Sequence, residues 1–167
     1  MTVVVADTSP LNYLVLIGQI EILRALYRRV LVPPEVLAEL ADPGAPPQVL
    51  AWIHSQPAWL EVRAVREDRN DPTLRQIGPG ERAAILLAQE ELDVLLLIDD
   101  AAGRDEANRR DIRSTGTLGV LRAAAMRQLL DLPAALTRLA ATNFRVSQSL
   151  IEELLAEDSE RKRHIDK

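Results

Sequence analysis

The sequence predicts an α/β protein: a three-layer α/β/α fold with a central, mostly parallel sheet and a helical C-terminal third. Three observations lead there. The short runs at residues 2–6, 30–32 and 94–98 are β-branched or leucine-rich and apolar throughout, as strands buried on both faces are. These runs alternate with segments of helical spacing, the order that parallel βαβ crossovers produce. From Leu118 onward the chain shows helical spacing alone.

The first strand, 2–6, stops at Asp7-Thr8-Ser9-Pro10, where a cap and a first-turn proline open a helix over 10–17. Gly18 breaks it, and Ile20, Leu23, Ala25 and Leu26 repeat at helical spacing. Residues 30–32 form a short buried strand closed by Pro33-Pro34, and a helix follows over 35–40. A proline- and glycine-rich loop, 41–47, precedes a helix at 48–55 and a strand at 60–65. Residues 67–77 read as a polar loop. Pro79-Gly80-Glu81 then opens a helix to residue 91, and the strand 94–98 ends in Asp99-Asp100. A helix at 101–110, a short strand at 112–115 and helices at 118–130, 133–141 and 148–157 complete one domain, 1–157. The charged stretch 158–167 is expected to be a disordered tail.

Composition narrows the chemistry. At 167 residues and 47% hydrophobic content, one domain can bury a core without staples. There is no cysteine, so disulfides, thiolate zinc sites and thiol catalysis are excluded. The two histidines, His54 and His164, lie far apart and read as surface residues. The amino-terminal segment carries no basic leader, and no apolar run reaches membrane-spanning length, so a cytoplasmic setting is expected. A net charge of −5 argues against binding nucleic acid through a broad basic surface. It is compatible with an enzyme whose acidic site holds a cation.

In open parallel sheets the functional crevice lies at the carboxyl ends of the strands. Asp7 ends one strand and Asp99-Asp100 another, so folding would bring acids distant in sequence to one edge. Successive residues of an extended segment face opposite ways, so one of Asp99 and Asp100 points into the crevice; Asp99 is favoured and both are retained. Taken singly, each acid has a structural explanation. Asp7 and Asp99 would serve as helix N-caps. Glu81 would complement a helix dipole, and Glu39 would be solvated beside its like-charged neighbour Glu35. Together they make a hard, all-oxygen donor set suited to Mg²⁺ or Mn²⁺.

The segments VVVADTSPL, VPPEVLAEL, GPGERAAILLA, VLLLIDDAAGR and RSTGTLGVL, in that order, resemble the PIN-domain family, which includes the VapC-type toxin ribonucleases. The closing FRVSQSLIEELL resembles a PIN-like subfamily of predicted nucleic-acid-binding proteins. The resemblance implies a first acid at Asp7, a second at Glu39, a third at Glu81 and a fourth at Asp99 or Asp100. It also implies a hydroxyl, Thr8 or Ser9, bonded to metal-bound water or to a ligand carboxylate. The third acid is usually aspartate in VapC-type members, and glutamate here lengthens the arm by one methylene. By the same resemblance the protein would be a Mg²⁺- or Mn²⁺-dependent endoribonuclease, a homodimer, and the toxin restrained by a small antitoxin protein.

Other readings compete. Aspartyl-phosphate enzymes also place aspartates at strand ends, but they use a lysine, and the only lysines here are Lys162 and Lys167. A catalytically silent PIN-fold module binding RNA or protein would lack one of the acids, and all four positions are occupied. Trp52 and Trp59 either stack on bases or, as the favoured role, pack a helix hairpin or dimer interface. Arg109, Arg110 and Arg113 cluster near the last strand, as RNA contacts or as a solvated helix end.

Overall fold

The computed structural model describes residues 1–66 and 71–167. Of the expected loop 67–77, residues 67–70 lie outside the described residues. Five strands, β1 (Val3–Ala6), β2 (Val30–Val32), β3 (Leu60–Val62), β4 (Val94–Leu97) and β5 (Arg113–Thr115), form one sheet in the order β3-β2-β1-β4-β5. All four pairings are parallel, a stricter arrangement than the mostly parallel sheet expected.

The helices are α1 (Thr8–Leu16), α2 (Ile22–Tyr27), α3 (Pro34–Leu40), α4 (Pro47–His54), α5 (Pro79–Gln89), α6 (Ala101–Arg109), α7 (Thr117–Met126), α8 (Leu132–Ala140) and α9 (Gln148–Ile165). Strand alternation divides the core between them. Val4, Ala6, Val30, Val32 and Leu97 pack with residues of α1 to α4 and α7 to α9, whereas Val5, Leu31, Leu96 and Ile98 pack with α5 and α6. Because both faces are covered, the strands must be apolar at successive positions, which is the pattern their sequence shows. Among the described residues, no helix is long and apolar enough to cross a membrane.

One expectation is corrected here. The stretch 158–167 does not form a disordered tail, because α9 runs on to Ile165. Asp158 is buried on that helix and accepts from Arg161 and Lys162, three and four residues on, so the charged run neutralises itself along one helical face. Trp52 and Trp59 pack on each other, with ring centroids 6.1 Å apart, and Trp59 is buried. They take the packing role favoured from the sequence, in the core beside α4, rather than forming an exposed stacking platform.

Sheet order sets the position of the site. The chain runs from β1 outward through β2 and β3, then returns to the other side of β1 for β4 and β5. Connections therefore diverge between β1 and β4, and their carboxyl ends flank a crevice. Leu96, fully buried in β4, anchors the α5 and α6 layer to this junction. Leu96→Ala should lower the free energy of unfolding by about 2–5 kcal/mol, read from urea denaturation. Leu92→Ala, at a fully exposed position, should leave it unchanged.

Candidate active site

The register Ala6↔Leu97 makes Asp7 and Asp99 near neighbours across the β1–β4 junction, and the Asp7 amide donates to the Leu97 carbonyl at 2.8 Å. Asp7 occupies the N-cap position of α1, yet its side chain makes no cap hydrogen bond. The residue is 3% exposed, and its Oδ1 is buried without a hydrogen-bond partner among the described residues. A buried carboxylate oxygen in that state costs free energy unless something else satisfies it. Burial pushes the Asp7 carboxyl up to about 7; the neighbouring Thr8 amide draws it partly back, and the charges of Glu81, Glu39 and Asp99 push it further up.

The other acids are held by donors. Asp99 accepts from the Ser9 hydroxyl at 2.7 Å, the Thr117 hydroxyl at 2.7 Å and the Thr117 amide at 2.6 Å, at the start of α7. Asp100 caps α6 instead, accepting from the Gly103 amide at 2.8 Å. The pair thus divides as alternation requires: Asp99 turns toward α1 and α7, and Asp100 toward its own helix. Glu39 reaches from α3 to the Gly80 amide at 3.0 Å and accepts from the Thr8 hydroxyl. Glu81 folds back onto the Gly78 amide at 3.0 Å, the return half of a capping box. Burial raises the Glu81 carboxyl above the usual carboxylate range; the Gly78 amide opposes this, while Asp100 and Glu39 reinforce it.

Asp7, Glu39, Glu81, Asp99 and Asp100 are therefore linked electrostatically, through Asp7 and Glu81. Among the described residues they are not closed into a ready cation cage, since each acid but Asp7 is turned onto an amide or a hydroxyl. The donor set fits a hard divalent cation. It is all oxygen and mutually repulsive, and it includes the orphaned Asp7 oxygen.

The sequence reading passed over three residues that shape this crevice. A Cβ at Gly80 would lie 2.6 Å from both Glu39 carboxylate oxygens, and a Cβ at Gly116 would lie 2.6 Å from Asp99 Oδ1. Bare backbone at both positions lets the acids approach the helix starts. Thr117 supplies two of the three bonds that fix Asp99. The signals were present as Gly-Pro-Gly before Glu81 and Gly-Thr before α7, but only the fold reveals what faces them.

Arg109, Arg110 and Arg113 are placed elsewhere. Arg113 begins β5 and pairs with Asp93, just before β4, at the amino edge of the sheet. Arg109 and Arg110 bond Glu106, and Arg110 also holds Asp71, Thr73 and Gln89. Strand direction puts Arg113 at the edge opposite the acids, and ion pairs already occupy the other two.

An acidic crevice at the switch point of a parallel α/β sheet is the architecture of a nuclease-like protein. A protein-family model described as a PIN domain matches residues 3–160, and the chain belongs to the PIN-domain family. No match was found among the curated proteins. PIN domains are generally nucleases and typically use divalent metals.

Two outcomes test this geometry. The folded-state value for Asp7, about 7, lies above the ordinary 3.8, so its contribution to stability is complete below about pH 4 and lost as pH rises through 7. In the presence of chelator, the wild type should lose on the order of 4 kcal/mol of stability from this group between those limits, and Asp7→Asn should lack that loss. Parallel pH profiles of melting temperature for the two proteins would contradict the burial argument. Gly80→Ala should drive the Glu39 carboxylate off the α5 amide, costing about 1–3 kcal/mol in a denaturant titration. Ala83→Gly, inside the same helix, controls for helix propensity.

Proposed function

We propose that this protein is a divalent-metal-dependent endoribonuclease, hydrolysing RNA phosphodiesters at the carboxyl edge of its sheet. The observation that supports the reading is the orphaned, buried Asp7 oxygen surrounded by Glu39, Glu81 and Asp99. Asp7, Glu81 and Asp99, with Asp100 beside them, would hold Mg²⁺ or Mn²⁺, and Glu39 would complete the negative field. When bound, such a cation offsets charge on the scissile phosphate and lowers the pKa of an attacking water. Ser9 and Thr117 orient the Asp99 carboxylate, and Thr8 orients Glu39. In the cytoplasm it would act as the toxin of a toxin–antitoxin pair and as a homodimer. Its antitoxin would present a cationic group, arginine above all, to the acids.

One feature favours the alternative of a catalytically silent RNA- or protein-binding module. Glu39 and Glu81 are engaged with amides at the start of α5, a purely structural use of both. Metal binding separates the readings. Mn²⁺ at about a hundredfold over its Kd should stabilise a nuclease by roughly 2.7 kcal/mol, against a salt control, whereas a silent module should not respond.

The decisive assay incubates the purified chain with RNA and Mn²⁺ or Mg²⁺. Cleavage is expected, and Asp7→Asn, which removes a ligand charge and not volume, should abolish it. Equal rates would remove Asp7 from the site. For the toxin role, expression alone should arrest growth and degrade RNA, and co-expression of the neighbouring small gene should relieve both. Harmless overexpression with intact RNA would overturn that role.

A further inference from the structure

Adjoining Asp99 is a cavity of about 410 Å³, walled by the end of β5, the start of α7, the connection from α8 to α9 and the first turns of α9. Its size falls within the range of about 300–1,000 Å³ common to small-molecule sites. Three arginines line it: Arg104, Arg122 and Arg145. Arg122 is paired with Glu157 at 2.8 Å. The guanidinium groups of Arg104 and Arg145 have no ion-pair or hydrogen-bond partner among the described residues. Arg104 Nη1 lies close to the Gly116 backbone, 3.6 Å from where a Cβ there would sit, in the cavity that Asp99 also lines. In a chain of net charge −5, two unpaired guanidinium groups facing one cavity are a local reversal of sign.

The apolar part of the wall is also specific. The only phenylalanine of the chain, Phe144, lines the cavity with Leu118 and Leu150. Its ring is set edge-on against Tyr13, with centroids 4.9 Å apart. The Tyr13 hydroxyl in turn donates to Asn143 Oδ1 at 2.7 Å, so a half-buried aromatic is braced beside free guanidinium groups. A planar fork for phosphate next to a π-face for a base matches the chemistry of a nucleotide.

We propose that this cavity seats one nucleotide of the RNA strand adjacent to the scissile phosphodiester. Arg104 and Arg145 take its phosphate, and Phe144 with Leu118 takes its base. This rests on the ribonuclease reading for its role, but binding can be measured without cleavage. The cavity supplies what the acidic crevice lacks, a cationic foothold that positions a polyanion against Asp99 and its neighbours.

The test titrates the full chain with adenosine 5′-monophosphate in the presence of chelator, followed by NMR, with inorganic phosphate and adenosine as separate probes. The nucleotide should bind more tightly than either fragment. Arg104→Ala and Arg145→Ala should each weaken it about tenfold, the loss of a charge-assisted bond, while Arg113→Ala at the opposite edge should not. Phe144→Leu should weaken the nucleotide and leave phosphate unchanged. In the RNA cleavage assay the double arginine variant should raise KM more than it lowers kcat. Absent nucleotide binding, or binding indifferent to both arginines, overturns the proposal. Phosphate bound as tightly as the nucleotide, with no effect of Phe144→Leu, also overturns it. Cleavage by the wild type with unchanged KM in the double variant removes the cavity from the RNA path while leaving the nuclease standing. Conversely, a chain that binds the nucleotide but cuts no RNA loses the nuclease reading and keeps the cavity.

Discussion

Everything at the candidate site follows from the pairing of β1 with β4. The two strands come from distant parts of the chain, and their four-residue parallel register brings Asp7 and Asp99 to the same edge where the connections diverge. Parallel pairing aligns all carboxyl ends on one edge, and covered faces leave that edge as the place where polar chemistry can gather. The cost is concentrated at Asp7, a buried carboxylate with one oxygen unsatisfied among like charges. Such a group lowers stability wherever nothing satisfies it.

Around Asp7 the remaining acids are positioned by the beginnings of helices. Glu39 and Glu81 meet amides at the start of α5, Asp99 meets the first amide of α7, and Asp100 caps α6. Helix N-termini present unsatisfied N–H groups and a partial positive charge, so they hold carboxylates in place without needing cationic side chains. The arginines are consequently free for other duties. Arg110 ties α6 to the turn at Asp71 and Thr73, while Arg104 and Arg145 face the cavity beside Asp99.

Much of this was legible in the sequence, for identifiable reasons. Strands buried on both faces leave uninterrupted apolar runs, so β1, β2 and β4 were evident, and their terminal aspartates followed. Glu39 and Glu81 needed the family resemblance, because a glutamate on an exposed helix face has no local signature. The spatial partners were out of reach. Nothing local connects Glu39 with Gly80, forty-one residues away, or Ser9 with Asp99. Nearness in sequence to the last strand did not say which end of that strand Arg113 occupies. The charged end of α9 misled because its composition resembles a tail, whereas the i,i+3 and i,i+4 pairing around Asp158 makes it a helix.

The bond from Glu39 to Gly80 has a mechanical meaning as well. Glu39 belongs to a helix packed on one face of the sheet, and Gly80 opens a helix packed on the other. The carboxylate therefore acts as a clasp over the rim of the sheet, fastening the two outer layers at the place where the chemistry is expected. Occupancy of the crevice and stiffness of the sandwich then share one side chain. Whatever draws Glu39 inward loosens the clasp, and whatever releases it lets the rim fasten again.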